Sequence, residues 1–472
     1  MTEKTSVKKM TKHALNEHEK FGNDQGCLAP SADDIDLFSY AEKLSEEMRE
    51  KKVKFRLNYS GKDNFFLPSL NDCIEFIVGM SLRQALEVAA EQSGRPLPFS
   101  RSGWFAMFSK GVGYPTAKKF LNWMKPSYEA INSKGDALSK ALLMKGAAEL
   151  SSAGDWLSLV GGMRASEAYQ QQEFAGEYSV QFDFIIQRCD AHIEMVKRIT
   201  YLIENAEVDK KDSVAIMRLM RPYWEQFSLV PKAELLAYEN GLVLHAAGKL
   251  LEEEPIASLM KSYCYLHLDF YLHLFASYEV GCIITYGTAP SELNNKKGLL
   301  CRAITRFSSN ECGELPSISC FGEFLEEIRD VISKNYGKLS HRKMAKYIPM
   351  KCDPVNPSSE SESERCYNTL KAWKKGKDIP SQDTLERFLD NLTQEIGPGH
   401  KPQLILMGNM ALGIDKSLKS WCEQLTQSKE LTDISPLIKA FLNVVGRYEL
   451  YYKHHLELQF DRLAGVESSQ SI

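Results

Sequence analysis

Apolar residues recur at helical spacing along most of this chain, and strand-like alternation is rare. Alternation is confined to Lys52–Tyr59 and Gly281–Tyr286. Helical periodicity covers Ile35–Lys52, Leu70–Gln92, Tyr128–Ala206 (with breaks at Gly154 and at Gly161-Gly162), Asp209–Leu229, Pro231–Leu251, Ile256–Val280, Phe321–Tyr336, Leu404–Leu425 and Ile434–Leu463. The pattern predicts an all-α, multi-helix protein with at most minor β-structure.

A length of 472 residues predicts several domains rather than one. Residues 1–34 are polar and predict a mobile N-terminal arm. The remaining boundaries follow from the spacing of the motifs described below. They give a helical domain at 35–127, a central helical bundle at 128–310, a third helical domain at 311–396, and C-terminal helices with a polar tail at 397–472.

Composition restricts the class of protein further. No apolar run is long enough to span a bilayer, and Ser262–Gly287, the richest segment, is broken by polar residues such as Asp269 and Glu279, so it predicts a buried helix and no membrane partner. The eleven cysteines are scattered without a CxxC pair. Scattered single cysteines are typical of reduced thiols, so we expect a cytoplasmic protein without a disulfide framework.

Two segments share a pattern of chain reversal between helices. AWKKGKDIPSQDTLERFL (372–389) and MFSKGVGYPTAKKFLNWM (107–124) each contain an aromatic residue, a Lys-Gly pair, a proline four positions after the glycine, and then a hydroxyl residue. The glycine can adopt the left-handed conformation that ends a helix, and Ser381 or Thr116 can cap the next one. Both segments therefore predict a rigid helix corner, with Trp373 and Phe108 as core anchors.

Segment 372–389 resembles the third and fourth helices of the lambda-repressor/Cro type of helix-turn-helix DNA-binding domain. Leu339–Ile348 resembles that family's second helix, so this match covers about residues 338–390 and is called the second copy below. Residues 80–125 form a weaker match, which is called the first copy. The family's short turn is replaced by an acidic stretch, Asp353–Glu364. That stretch predicts a flexible loop, or alternatively a flap that competes with DNA for nearby lysines. Two copies suggest an internal duplication whose halves approximate the two-fold arrangement of a dimeric repressor.

The resemblance implies a recognition helix in each copy and double-stranded DNA as the partner. In the second copy this helix would cover about Arg365 to Lys375 and expose Arg365, Asn368, Thr369 and Lys371. In the first it would cover about Arg101 to Lys110 and expose Arg101, Ser102 and Ser109. Phosphate contacts are expected from cations around the two corners, namely Arg342, Lys343, Lys346, Lys374, Lys375, Lys377, Lys110, Lys118 and Lys119.

The distribution of charge along the chain predicts a local surface for nucleic-acid binding rather than general binding to polyanions. The formal net charge is −4, yet no acidic residue occurs in residues 92–126, 338–351 or 365–377, where the motifs lie. A further acid-free window, Leu293–Asn310, holds Lys296, Lys297, Arg302 and Arg306. Any one such window is also what a solvated helix face looks like.

Signals of catalysis and metal binding are weak. The chain contains no GxxxxGK[ST], GxGxxG, HExxH or GxSxG motif, so no cofactor or catalytic residue is predicted. His267 and His273 fit core positions better than ligand positions, and His454, His455 and Glu457 lack a third nearby metal ligand. Three functions stay open: a DNA-binding regulator or accessory factor, such as one from a mobile element, plasmid or defence locus; a helical scaffold that binds a protein partner or its own copy; and an enzyme of unrecognised type acting on nucleic acid.

Overall fold

The computed structural model describes residues 36–56, 65–78, 81–92, 94–149, 151–171, 175–248, 253–286, 297–309, 315–350, 361–394, 400–428 and 433–470. Throughout these ranges the chain is all-α, as predicted, and the β-pairing found there is a single antiparallel bridge between Phe55 and Val112. The predicted N-terminal arm and most of the acidic stretch lie outside the described residues. No helix in the described ranges has both the length and the apolar character needed to cross a membrane.

The helices, numbered in chain order, have the following bounds: α1 Leu37–Glu50, α2 Leu70–Val78, α3 Leu82–Gln92, α4 Arg101–Ser109, α5 Tyr114–Lys134, α6 Ala137–Ala148, α7 Ser152–Arg164, α8 Glu167–Gln170, α9 Ala175–Glu204, α10 Ser213–Phe227, α11 Lys232–Ala246, α12 Glu253–Tyr286, α13 Leu299–Ser308, α14 Cys320–Asn335, α15 His341–Ala345, α16 Glu362–Lys374, α17 Gln382–Thr393, α18 Lys401–Ser428, α19 Ser435–Val445 and α20 Tyr448–Gln470.

One prediction of local structure was wrong, and two of the segments with helical periodicity contain two helices each. Gly281–Tyr286 is not strand-like, because it forms the last turns of α12, where Tyr286 donates a hydrogen bond to Glu177 of α9. The Leu70–Gln92 segment is two helices; Ser81 and Gln84 form a reciprocal capping box that starts α3. Ile434–Leu463 is also two helices, because α19 ends at Val445 with Gly446 as its C-cap.

The main core is built around α12, whose residues from Cys264 to Cys282 are nearly all buried. This helix packs against α9, α11, α19 and α20. The same core continues through α14, α16, α17 and α18, so it draws residues from both sides of the boundaries placed at 310 and 396. A second, smaller core of Trp104, Met107, Val112 and Phe120 lies within the region 35–127.

Two buried carboxylates accept hydrogen bonds from the first backbone N–H groups of another helix. Asp415 of α18 accepts hydrogen bonds from the backbone N–H groups of Cys320 (2.8 Å) and Phe321 (2.9 Å), which are the first residues of α14. Burial raises the pKa of Asp415 to about 7, although these hydrogen bonds oppose the rise. Glu279 of α12 does the same for α13. The first turn of a helix has unpaired N–H groups, and here another helix supplies the acceptor.

The hairpin of α6 and α7 depends on glycines at a close helix contact. A Cβ added at Gly161 would lie 2.9 Å from both Leu143 Cγ and the Ser139 carbonyl oxygen, whereas one added at the adjacent Gly162 would meet no atom within 4 Å. The two glycines are therefore a matched pair on one helix with opposite surroundings.

We expect Gly161→Ala to destabilise the protein by about 1–3 kcal/mol, because the new methyl group forces the helices apart. Gly162→Ala is expected to stabilise it by about 0.5–1 kcal/mol, because alanine loses less backbone entropy than glycine in a helix. Urea unfolding of both variants checks this pair. Equal effects of the two substitutions would contradict the described packing of α6 on α7.

Candidate nucleic-acid interface

The predicted corner between α16 and α17 is present. Gly376 has a φ of +62°, and the Ser381 side chain accepts a hydrogen bond from the Thr384 N–H at 3.3 Å, which caps α17 as predicted. Trp373 is 2% exposed and packs edge-on against Phe388, with 5.6 Å between ring centroids. Trp373 is therefore the core anchor that the sequence predicts.

Helix α16 starts earlier than the predicted Arg365. Ser361 is its N-cap, and the Ser361 hydroxyl accepts a hydrogen bond from the Glu364 N–H. The acidic residues Glu362 and Glu364 lie in the first turn, where carboxylates are favourable because the helix dipole is positive there. Residues 361–364, which were assigned to the acidic loop, thus belong to the helix, while residues 351–360 lie outside the described ranges.

The C-terminal end of α16 is fixed to α14. The Ser319 N–H donates to the Lys374 carbonyl at 2.9 Å, and the Ser319 hydroxyl donates to the Trp373 carbonyl at 3.2 Å. Gly322 permits this approach, since a Cβ there would lie 2.3 Å from the Lys374 carbonyl oxygen. The orientation of α16 on the core is therefore set by backbone contacts.

Lys374 belongs to an ion-pair network between three helices. Its ammonium group pairs with Glu326 of α14 and lies 3.2 Å from His341 Nε2 of α15. Glu326 also contacts His341 at 2.7 Å and Arg329 at 3.0 Å. Burial acts to raise the pKa of Glu326, but hydrogen bonds from Lys374 and His341 outweigh it and the pKa is lowered. Lys374, which the sequence places at the DNA phosphates, thus links α14, α15 and α16.

The other residues predicted for the second copy lie at the surface of one face. On α16 the side chains of Cys366, Leu370 and Trp373 are buried, and those of Asn368 and Lys371 on the other side are exposed. Arg365 and Thr369 are partly exposed. Further exposed cations lie on or directly after α15, which packs against α16, and beyond the end of α16, namely Arg342, Lys343, Lys346, Lys375 and Lys377. We call the exposed cations Arg342, Lys343, Lys346, Lys371, Lys375 and Lys377, together with Asn368, the corner surface.

An aromatic ring connects the two helices of the corner surface. Tyr367 lies beneath the Lys371 ammonium group (4.2 Å to the ring centroid) and the Arg342 guanidinium group (4.8 Å). Arg342 also lies 3.3 Å from Glu364. In the described part of the chain no carboxylate lies within ion-pair distance of Lys346, Lys371, Lys375 or Lys377. These four lysines therefore carry positive charge that the described residues do not neutralise.

The corner at the first copy has the predicted helices but a different turn. Gly111 has a φ of +78°, and α4 covers Arg101–Ser109. Thr116 does not cap the next helix; α5 begins at Tyr114, with Gly113 as the N-cap and Pro115 in the first turn. Proline is favoured in the first turn of a helix because it needs no N–H partner there, which explains the earlier start.

An extended segment lies across this first turn. Phe55 and Val112 exchange backbone hydrogen bonds of 3.0 and 2.8 Å, and Arg56 donates to the Ser109 carbonyl. Ser109 is consequently only partly exposed, whereas the other residues predicted for this copy, Arg101, Ser102, Lys110, Lys118 and Lys119, are exposed. Phe108 is partly buried and packs edge-on against Trp104 at 5.0 Å. The chain itself thus covers part of the first corner.

The further basic window at 293–310 is largely neutralised. Lys297 pairs with Glu449 at 2.6 Å, and Arg302 and Arg306 pair with Glu327 at 2.6 and 3.0 Å. Lys296 lies outside the described residues. These contacts give the window a role in packing α13 against α14 and α20.

The sequence did not reveal one buried polar cluster. Arg188 and Asp269 form an ion pair of 2.6 Å with side chains 1% and 0% exposed, and His273 shares a hydrogen bond of 3.0 Å with His455. His273 is thus a core histidine, as expected.

His455 lines a cavity of about 750 Å³ together with His454. Burial lowers the pKa of His455 to about 3, so it is neutral at pH 7. Within the described ranges no group of His, Cys, Asp and Glu is arranged to hold a metal ion.

Comparisons of this chain with protein-family models, with curated proteins and with solved structures give no match.

Proposed function

We propose that the protein binds double-stranded DNA through the corner surface, with α16 entering the major groove. The observation that supports this most directly is the combination of a helix held firmly at its C-terminal end and lysines near it that pair with no carboxylate among the described residues. Asn368 and Lys371 lie on the exposed side of α16, and Lys346 and Lys375 lie at its flanks. Asparagine and lysine are side chains that hydrogen bond to adenine and guanine edges, respectively.

Rigidity is the second reason. A reading helix must keep its position while its side chains meet the bases, and the C-terminal end of α16 is held by the Ser319 contacts and by the pair of Lys374 with Glu326. Lys374 is therefore a positioning residue in this proposal, not a phosphate contact. The second corner is the interface, since the extended segment at Phe55 covers part of the first one.

The test is the affinity for a mixed-sequence duplex of about 30 base pairs, measured by fluorescence anisotropy between 50 and 200 mM salt. We expect binding that weakens with salt, because phosphate contacts release counterions. The triple variant Lys346→Gln/Lys371→Gln/Lys375→Gln should weaken affinity at low salt by at least about tenfold and reduce the slope of log K against log[salt] by roughly 2 to 3.

A matched control removes the same charge elsewhere. Lys210, Lys211 and Lys419 are exposed on other parts of the molecule, so the triple glutamine variant at these positions should keep both affinity and slope within about twofold of the unaltered protein. Lys374 stays unaltered in both variants, because its loss would disturb α16 itself. No measurable binding at 50 mM salt, or equal losses in the two triple variants, would overturn the proposal.

A further inference from the structure

We infer that the protein has a second binding site, a cavity between α1, α5, α6 and α7 that accepts an apolar ligand with an anionic head group. The cavity has a volume of about 580 Å³. Interiors of folded proteins are packed with few voids larger than a water molecule, and pockets for small ligands range over about 300–1,000 Å³. Its size is therefore that of a ligand site rather than of a packing defect.

The walls are predominantly apolar. They include Leu44 and Met48 of α1, Leu121 of α5, Leu143 of α6, and Leu159 and Met163 of α7. Side chains of this kind gain stability from contact with a hydrocarbon because they are removed from water. The main body of the ligand is accordingly a hydrocarbon chain or a comparable apolar group.

The charged residues of the lining determine the head group. The lining contains four charged residues, namely Arg49, Arg56, Glu149 and Asp155. Arg49 is paired with Glu46 at 3.0 Å, and Glu149 is paired with Lys197 at 3.0 Å. Asp155 lies in the first turn of α7, where the helix dipole favours a carboxylate. Arg56 donates one hydrogen bond to the Ser109 carbonyl, while its Nε is buried with no hydrogen-bond partner among the described residues. No carboxylate of the described residues pairs with Arg56. Arg56 is therefore a cation of the lining whose charge no described carboxylate offsets, and a carboxylate on the ligand could pair with its guanidinium group.

The position of Arg56 connects this site to the first helix corner. The same guanidinium group touches Ser109 at the end of α4, and Phe55 is joined to Val112 in the turn. A ligand that binds Arg56 would therefore contact the segment that closes this corner. The inference rests on the cavity and on Arg56, and it is independent of DNA binding at the other corner.

The experiment measures binding of decanoate, decanol and decylamine to the full chain by isothermal titration calorimetry. We expect saturable 1:1 binding of decanoate, weaker binding of decanol, and the weakest binding of decylamine. Arg56→Gln should weaken decanoate at least tenfold and leave decanol unchanged. Arg387→Gln, which removes an exposed cation on α17 outside the lining, should leave all three affinities unchanged.

Gly162 offers a variant that blocks the cavity. It lines the cavity, and a Cβ at this position would meet no atom within 4 Å, so Gly162→Leu should fill the space and abolish binding of all three probes while the helical circular dichroism is retained. Should that variant fail to fold, the site is tested by titrating carboxylates of increasing chain length into the unaltered protein. Each added CH₂ should tighten binding about fourfold until the cavity is full, after which affinity should fall.

Absence of saturable binding, or unchanged binding in a folded Gly162→Leu variant, would overturn the site. Binding that strengthens with every added CH₂ without a limit would also overturn it, because that is the behaviour of an open apolar surface. Equal affinities for decanoate and decanol would overturn the anionic head group.

Discussion

Replacing Asp269 with alanine should lower the free energy of unfolding by about 3–5 kcal/mol, because it leaves the Arg188 cation buried without a counter-charge. Asp269 is fully buried and also accepts hydrogen bonds from Tyr451 (3.0 Å) and the Leu229 N–H (3.1 Å). Arg188 donates to the Phe66 carbonyl at 2.7 Å, so the pair connects α9, α12 and α20 with the segment before α2. The effect should appear in the midpoint of urea unfolding followed by circular dichroism.

Two companion variants show whether the lost counter-charge is responsible. Arg188→Met/Asp269→Leu removes both charges and should recover a large part of the lost stability, since no uncompensated ion remains. Glu87→Ala breaks the surface pair of Arg83 and Glu87, which are 3.7 Å apart, and should change stability by less than about 1 kcal/mol. A single Asp269→Ala variant as stable as the unaltered protein would refute the role given to the pair.

Replacing Glu279 with alanine should cost about 3 kcal/mol, because hydrogen-bond donors of α13 and α20 lose their acceptor. Glu279 is fully buried and accepts hydrogen bonds from the N–H groups of Leu300 (2.7 Å) and Cys301 (3.1 Å) and from the Tyr448 hydroxyl (3.2 Å). Glu279→Gln keeps a carbonyl oxygen for the two N–H groups and should cost clearly less than the alanine variant. Equal losses in the two variants would show that the side-chain oxygen is not what holds α13.

The same residue gives a pH dependence with a defined sign. Burial raises the pKa of Glu279 to about 7, although the N–H groups of Cys301 and Leu300 oppose the rise. The folded state then binds the proton more tightly than the unfolded state between pH 4.5 and 7, so the contribution of Glu279 to stability is complete below pH 4.5 and is lost as the pH rises through 7.

Glutamine does not titrate, so the difference in stability between the unaltered protein and Glu279→Gln isolates this group. The difference should shift by about 2 kcal/mol in favour of the unaltered protein between pH 7.5 and 5.5, at about 1.4 kcal/mol per unit over the titrating range. Buried histidines such as His455 titrate in both proteins and cancel in the comparison. A difference that does not change with pH would mean that the carboxyl group keeps its ordinary pKa in the folded protein.

Residues close in sequence allowed the second corner to be predicted in detail. The left-handed Gly376, the Ser381 cap and the buried Trp373 are consequences of local conformational preferences, which the tertiary structure does not oppose here. The first corner shows the limit of the same reasoning. Thr116 matches the residue type of a cap, yet the helix starts at Tyr114 with Pro115 in its first turn, where proline is tolerated, and the bridge between Phe55 and Val112 lies directly before it.

The candidate interface was predicted in part. The face of α16 with Asn368 and Lys371 follows from helical periodicity, since three buried residues on one side leave these two on the other. The role of Lys374 could not be predicted, because it depends on Glu326, a residue of another helix. Lys374 and Lys375 are adjacent residues of the same type, so the sequence does not indicate which of them pairs with a carboxylate.

The sequence by itself determined that the chain is helical and where the α16–α17 corner turns, because periodicity, glycine and capping act over a few residues. Only the tertiary structure decided which polar groups meet. Arg188 and Asp269 are 81 positions apart, and His273 and His455 are 182 apart. Pairs so distant along the chain come together through the packing of whole helices, which no local preference specifies. The apolar cavity with Arg56 at its wall arises in the same way, from several helices that leave a space between them.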